Sequence, residues 1–395
     1  MSVPRFFDPG RAFAHVERLS FPRRVGSLGE RRAARAIVRE LTAMGLVCRR
    51  ESFRVAELPV EVGTRLVFLA CMLLAFLGAF CVERWPVASA VLWLLAARLV
   101  DAPWRVMDFL GDRWPSRRTA ENLVATDPDA PTDAPARVVV MAHYDSKSQL
   151  VPTGYRVVLV AATAIGCLLL AAVAVGKVAG YGLLLRTGIA RDLVILVYLQ
   201  ILGLIVNLTG NRSPGAIDNA SGVGVLLELA RTLPERPEAP VEVVWVATGS
   251  EEVGLDGARD FLRRHASLWR SKPTLLINLE SVGFGDRVFL SGEPGALALA
   301  ERVAGDAGMS TARFKVMGAG MDHEPFAARG LPALSLLGDV VRASLLFHSR
   351  RDNLSRVDPA ALDRAGVLAA RLIASWADRH QAVIAAEVAE EVAIT

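Results

Sequence analysis

Two histidines and several carboxylates stand where folding alone gives no reason for them. His143, Asp145, Asp218, Glu251, Glu252 and Glu280 lie at or just past short apolar runs, and His348 follows Phe347 in a late polar stretch. Imidazole nitrogen and carboxylate oxygen together form a donor set that zinc and other divalent cations accept. The adjacent pair Glu251-Glu252 is the sharpest signal, because neighbouring carboxylates repel unless protons or cations offset their charge. A two-metal site needs about five or six such donors, with one carboxylate shared between ions about 4 Å apart. On that count Asp218 bridges, His143 and Glu280 complete one ion, and Glu252 and His348 complete the other. Glu251, beside a ligand and itself uncommitted, is the candidate general base, taking a proton from a water that the metals have acidified and passing it to the leaving group. Asp145, two residues beyond His143 on the same side of an extended chain, is placed to orient that imidazole.

Strands and helices must bring these side chains together. The run from Arg137 to Ala142 is continuously apolar and short, the pattern of a parallel strand buried on both faces. Val241 to Ala247 and Thr274 to Leu279 read as further strands, separated by helical patterns from Gly222 to Leu233 and after Asp256, with a last helix from Pro359 to about Arg379. Earlier, Ser27 and Glu30 make a capping box for a helix that Gly45 ends, and Leu46 to Val55 reads as a strand. This order predicts an α/β fold with a mainly parallel mixed sheet flanked by helices. In such sheets ligands bind beyond the carboxyl ends of the strands, where the polar clusters fall. Gly249, Gly254 and Gly257 serve turns between strand and helix and form no phosphate loop.

Of the 395 residues 52% are apolar, and the mean hydropathy of +0.36 is high for a domain that meets water on every side. The excess is concentrated. Leu66 to Val82 has no charge, Glu83 to Pro86 reads as a turn, and Val87 to Val100 is broken only by Arg98; Val157 to Gly176 and Leu193 to Leu208 repeat the arrangement. Four membrane spans in two hairpins are predicted, at 61–110 and 151–210, interrupting one globular domain assembled from 1–60, 111–150 and 211–395. The net charge of +4 and pI near 9.1 come from arginines scattered among 41 acidic residues, which argues against nucleic acid as a partner. Cys71, Cys81 and Cys167 lie inside apolar segments and Cys48 in a predicted strand, so no disulfide framework or zinc knuckle is expected. His15, His265 and His380 fall on predicted helices among arginines and are expected at the surface.

The donors also restrict the topology. His143 precedes the second apolar pair and Asp218 follows it, yet both must reach one cluster, so an even number of crossings separates them. All globular parts are then expected on one face. About eleven residues from Asp145 to the next span reach at most about 40 Å, which predicts a site close to the bilayer. Arg65, Arg105, Arg113, Arg117, Arg118, Arg156 and Arg212 flank the spans on that face, against Arg84, Lys177, Arg186 and Arg191 opposite. That balance, with no secretory signal in the first forty residues, predicts a cytoplasmic site.

The segments MAHYDSKS, GAIDNASGVGVLLELAR, TGSEEVGLDGARDF, INLESVG, MDHEPFAARGLPAL and FHSRRDNLSRVD resemble, in order, those of bacterial leucyl aminopeptidases, and HVERLSFPRRVGSLGERRAARAIVRELTAMGL resembles that family's N-terminal helix region. The resemblance implies a zinc exopeptidase fold, two zinc ions per chain with other divalent ions also fitting, a peptide substrate, and the roles given above for His143, Asp145, Asp218, Glu251, Glu252 and His348. Soluble members usually carry aspartate where this chain has Glu280. Glutamate there, with inserted spans, is closer to the membrane-embedded endoplasmic reticulum metallopeptidases and vacuolar membrane proteases, and implies an enzyme of a bacterial cell membrane. Asp322 and His323 match a stretch that lines the substrate pocket in the family. HYDSK and DHEPF also resemble glutaminyl cyclases, which work with one zinc, and some relatives keep the fold as scaffolds without the chemistry.

Overall fold

The computed structural model describes residues 7–55, 57–100, 118–131, 133–181, 188–232, 239–315 and 320–394. The chain divides into two compact units, one of 1–55, 118–148 and 211–395, the other of 56–117 and 149–210.

The first unit is a mixed α/β body around an eight-stranded sheet. Its strands are β1 (Val47–Arg54), β2 (Thr119–Thr126), β3 (Ala136–His143), β4 (Val241–Thr248), β5 (Thr274–Glu280), β6 (Val288–Gly292), β7 (Thr311–Arg313) and β8 (Ala333–Leu337), in the spatial order β1-β2-β4-β3-β5-β8-β6-β7. The four central strands, β4, β3, β5 and β8, are mutually parallel, and β6 pairs parallel with β7. The pairs β1/β2, β2/β4 and β8/β6 are antiparallel. Every residue of β3 is buried, which explains its unbroken apolar run. Its residues alternate between two layers: Val138, Val140 and Ala142 face the larger core, Val139 and Met141 the smaller one beneath Phe261, Leu262 and Phe326.

The helices over the larger core are α1 (Pro9–Leu19), α2 (Leu28–Ala43), α7 (Ser221–Thr232), α9 (Pro294–Asp306) and α10 (Pro359–Ile394), while α8 (Asp256–Arg264) covers the other face. Ser27 caps α2 by accepting the Glu30 amide at 3.1 Å, and the Glu30 carboxylate reaches back to the Gly26 amide at 2.6 Å. On α10, Leu362, Ala365, Leu368, Ala369, Leu372 and Ile373 form the buried stripe at helical spacing. One expectation about histidines needs correction. His15 is buried, because Ala12, His15, Val16 and Leu19 make the inner face of α1; His265 is half-buried and pairs with Glu51 at 2.9 Å, and His380 packs on Trp376.

Among its described residues the second unit is a cluster of four apolar helices: α3 (Glu57–Cys81), α4 (Pro86–Val100), α5 (Thr153–Val178) and α6 (Ile189–Ile205). Phe68, Cys71, Trp93, Cys167, Val197 and Ile201 form its own core. Of the four spans expected, two are supported by length and composition. Among the described residues two helices, at Glu61–Cys81 and Thr153–Val178, are long and apolar enough to cross a membrane. The partners α4 and α6 have 15 and 17 residues, or about 22 and 25 Å at 1.5 Å per residue, against a hydrocarbon core of about 30 Å. Only 28% and 33% of the two long apolar windows are buried, where a core helix of a soluble protein would be mostly covered. Among the flanking cations named above, Arg105, Arg113, Arg117 and Arg186 lie outside the described residues.

Candidate metal centre

The carboxyl ends of the parallel strands deliver the donors. His143 is the last residue of β3, Glu280 the last of β5, and Glu251 and Glu252 open a helical turn three residues after β4 ends. Asp218 arrives on the loop before α7, joined to Asn219 by a cis peptide bond, and His348 comes from the loop ahead of α10. Several of these positions are conformationally unusual: Ser250 (φ 61°), Ser281 (φ 52°) and His348 itself (φ 61°) are left-handed without being glycine. Such residues are held only where the surroundings over-determine them, and they gather at functional sites.

Two groups of donors result. His143, Glu251 and Glu280 form one, and Asp218, Glu252 and His348 the other, the atoms within each group lying within 4.8 Å of one another. Asp218 faces both: its Oδ1 is 3.2 Å from His143 Nε2 and its Oδ2 is 3.4 Å from His348 Nε2. Glu280 Oε1 stands 3.2 Å from His143 Nε2, Glu252 Oε2 2.9 Å from His348 Nε2, and Glu251 Oε2 3.9 Å from His143 Nε2. Asp145 lies with its Oδ1 3.5 Å from His143 Nδ1, and its two oxygens accept the amides of Glu251 and Glu252 at 3.1 and 3.3 Å. It therefore ties the β3 end to the Glu251-Glu252 turn as well as facing the imidazole.

Four carboxylates around two imidazoles, Asp218 and Glu280 buried and Glu251 and Glu252 partly so, set up strong mutual fields. Burial alone would lower the His143 imidazole, but Glu280, Glu251, Asp145 and Asp218 raise it well above its ordinary value. Burial opposes ionisation of Asp218, yet His143 and His348 hold its carboxyl below the usual range. Burial pushes Glu251 well up, reinforced by Glu280, Glu252 and Asp322 against His143. Glu252 is lowered to about 2, its burial outweighed by His348 and Lys147, while burial raises Glu280. The donor set fits divalent cations: with all four carboxylates ionised it carries a formal charge of −4, which two such ions offset, and its atoms are nitrogen and oxygen alone.

The neighbours of the cluster include Asp322 and His323. Thr248 Oγ1 donates to Asp322 Oδ2, Asp322 Oδ1 has no protein partner, and burial lifts the Asp322 carboxyl to about 7. His323 Nδ1 lies 2.6 Å from Ser335 Oγ, which accepts from Asn278 Nδ2 at 2.9 Å; the same amide donates to Glu280 Oε2 at 3.3 Å. Burial lowers His323 to about 4, so the imidazole is neutral at neutral pH. Sequence reasoning did not single out Lys147, whose Nζ is 3.0 Å from Glu252 Oε2 and 2.6 Å from the Glu252 carbonyl. It likewise gave no role to Asn219, which accepts the Gly222 and Ser281 amides and donates to Leu279 O, and missed the buried Arg23 and Asp352. Their one signal is position, since Lys147, Asn219 and Asp352 each fall within four residues of a donor.

Residues 199–373 match the model of Peptidase family M28. Aminopeptidase YwaD of Bacillus subtilis is 27% identical over 166 residues, 40% of this chain and 36% of that protein. Endoplasmic reticulum metallopeptidase 1 of Mus musculus is 38% identical over 85 residues, 20% of this chain and 9% of that protein. The chain thus matches well under half the length of these relatives. The solved structure of BSAP, a zinc aminopeptidase from Bacillus subtilis, superposes with a TM-score of 0.58 at 15% identity, covering 94% of this chain and 95% of that one. A glutaminyl cyclase from Fimbriiglobus ruber gives 0.55 at 16% identity, covering 95% and 96%.

Proposed function

We propose that this chain, related in sequence to Peptidase family M28 over residues 199–373, is a membrane-anchored metallo-aminopeptidase that hydrolyses the N-terminal residues of peptides. The observation that carries the reading is the double-faced carboxylate of Asp218, one oxygen toward His143 and the other toward His348. Two zinc ions are held in this reading, one by His143 and Glu280, one by Glu252 and His348, with Asp218 shared. When bound they supply Lewis acidity, polarising the scissile carbonyl and acidifying water.

The protein's own groups do the rest. Glu251 is the general base: it stands beside the donors, 3.9 Å from His143 Nε2, and in this reading is committed to neither ion, so it is placed to take a proton and return it to the leaving amine. Asp145 orients His143 and, through the amides of residues 251 and 252, fixes where the base stands. His323, neutral and bonded to Ser335, presents its other nitrogen to substrate, and Asp322 lines the same pocket.

The membrane anchor rests on the two long, mostly uncovered apolar helices. The first unit is one folded body on both sides of each insert, so each insert returns to the face it left, and α4 and α6 carry the chain back. Lys177, at the end of α5, donates to the Glu83 carbonyl at 2.8 Å, which brings the two turns to one end of the cluster. Helices of 15 and 17 residues cross by local thinning of the bilayer. The arginine balance favours the cytoplasmic face for the catalytic unit.

The test is a panel of chromogenic aminoacyl substrates with purified protein in detergent, beside metal analysis. Wild type is expected to hold about two zinc per chain and to lose activity to chelator, and Glu251→Ala to keep the metal and lose turnover. A fully active Glu251→Ala protein defeats the base assignment, and wild type devoid of metal defeats the enzyme in favour of a scaffold. A peptide with N-terminal glutamine separates the cyclase reading: release of ammonia supports a cyclase, release of free glutamine the exopeptidase.

A further inference from the structure

Arg23 is buried to the last atom between α1 and α2. Its guanidinium donors go to main-chain carbonyls: Nε to Tyr144 at 2.8 Å, Nη1 to Phe21 at 2.9 Å, to Pro214 at 2.7 Å and to Leu19, and Nη2 to Gly215 at 2.9 Å. The Arg23 amide also donates to Ser146 Oγ at 3.0 Å. Burying a charged side chain this completely costs several kcal/mol unless its donors are satisfied and its charge is balanced, on the order of a whole domain's margin of stability. The first condition is met by the carbonyls, and the negative groups around it, Asp352 first, then Asp145, Asp218 and Glu252, offset part of the cost of burying the charge.

We propose that Arg23 is a positioning residue of the metal centre, fixing the distance between the segment that delivers His143 and the segment that delivers Asp218. The proposal rests on the two-metal reading above. Tyr144 follows His143 directly, Pro214 and Gly215 precede Asp218 by four and three residues, and one rigid planar group spans both. Asp352 grips the same loop from its amides: Oδ1 accepts from Ile217 at 2.6 Å and Oδ2 from Asp218 at 3.2 Å. Arg23 therefore holds the carbonyls and Asp352 the amides of the loop that presents the shared carboxylate, and Asp352 itself follows His348 by four residues. The crossing is built around backbone alone. Gly215 is left-handed (φ +58°), and a Cβ there would lie 2.6 Å from Asp218 O, 2.6 Å from Ser146 Cβ and 3.0 Å from Arg23 Nη2.

A merely structural arginine would lower the stability of the metal-free protein and leave metal affinity alone. The full chain in detergent is titrated with zinc against a competing chelator, with melting of the metal-free protein recorded in parallel. Arg23→Lys keeps the charge and loses the fork, and is expected to weaken zinc about 10- to 100-fold, the usual range for groups that orient ligands. Arg23→Ala supplemented with ethylguanidinium is expected to regain part of that loss. Arg137→Lys is the control, because Arg137 is also buried but pairs with Glu242 at 2.7 Å, at the opposite end of β3 from His143, and its zinc affinity is expected to stay that of wild type. If Arg23→Ala does not fold, Arg23→Lys decides. Wild-type zinc affinity in Arg23→Lys overturns this inference alone, whereas a wild-type chain that binds no divalent ion overturns the two-metal reading with it.

Discussion

Glu30 is a carboxyl group that folding makes less acidic. Burial pushes it from 4.5 up to about 8, one oxygen accepting the Gly26 amide and the other buried without a partner. Between those values the folded chain keeps a proton that the unfolded chain releases. The folded state therefore gains most at or below pH 4.5, and the gain disappears as pH rises through 8. Glu30→Gln is expected to raise the melting temperature over wild type, with a difference that widens from pH 5 to pH 9; a constant difference across that range would count against a buried, protonated carboxyl. A second prediction concerns Ser335. Its hydroxyl accepts from Asn278 and lies 2.6 Å from His323 Nδ1, so the pair holds the imidazole in one orientation. Ser335→Ala is expected to lower kcat about fivefold, the worth of about one hydrogen bond, with KM little changed. Ser335→Thr, which restores the hydroxyl, should recover it; equal activity of all three proteins would exclude the role. The candidate donors could be singled out from sequence because a carboxylate at a strand end answers no folding need. Arg23, Asn278 and Ser335 were not, because each acquires its role from a partner more than fifty residues away.

At the scale of elements, legibility follows how much of the information is local. The strand at Arg137 to Ala142 was readable because burial on both faces leaves an apolar run, and it came out as Ala136–His143 with all of it covered. The helix opened by Ser27 and Glu30 was readable because its cap is a contact three residues long. The strands β6, β7 and β8 have 5, 3 and 5 residues, too short for a period to declare itself, and the antiparallel pairings of β1 and β2 with the parallel centre are set by the partner strand. The end of α10 was read about fifteen residues early, at Arg379 against an observed Ile394, since no glycine or proline marks its close. Ser27→Ala removes the acceptor for the Glu30 amide, and is expected to cost about 1 kcal/mol in denaturant unfolding with an unchanged m value. A loss under about 0.3 kcal/mol would mean that packing of α2, through Ile37 and Leu41, carries the helix without its cap.

For the whole molecule, the decisive constraint is that the two inserts leave and rejoin one folded unit. The chain departs after Val55 and returns at Arg118, then departs after Ser148 and returns at Asn211, and in between lie a long and a short apolar helix each time. A single long helix crossing once would strand the rest of the first unit on the far side of the bilayer, separating His143 from Asp218, which face each other at 3.2 Å. In the membrane-anchored reading proposed above, the short helices therefore complete each crossing, although by length alone they fall short by about 5 to 8 Å. That reading predicts opposite sides of the membrane for residue 84, after α3, and residue 302, on α9. In intact cells a membrane-impermeant maleimide is expected to label Arg84→Cys and to leave Arg302→Cys unlabelled until the cells are opened. Both substitutions are at exposed positions, and native Cys48 serves as an internal marker for the first unit. Labelling of Arg302→Cys and native Cys48 from outside, with Arg84→Cys left unlabelled, would reverse the cytoplasmic assignment of the site, and the same outcome at positions 84 and 302 would mean that the apolar helices lie on or beside the bilayer without crossing it.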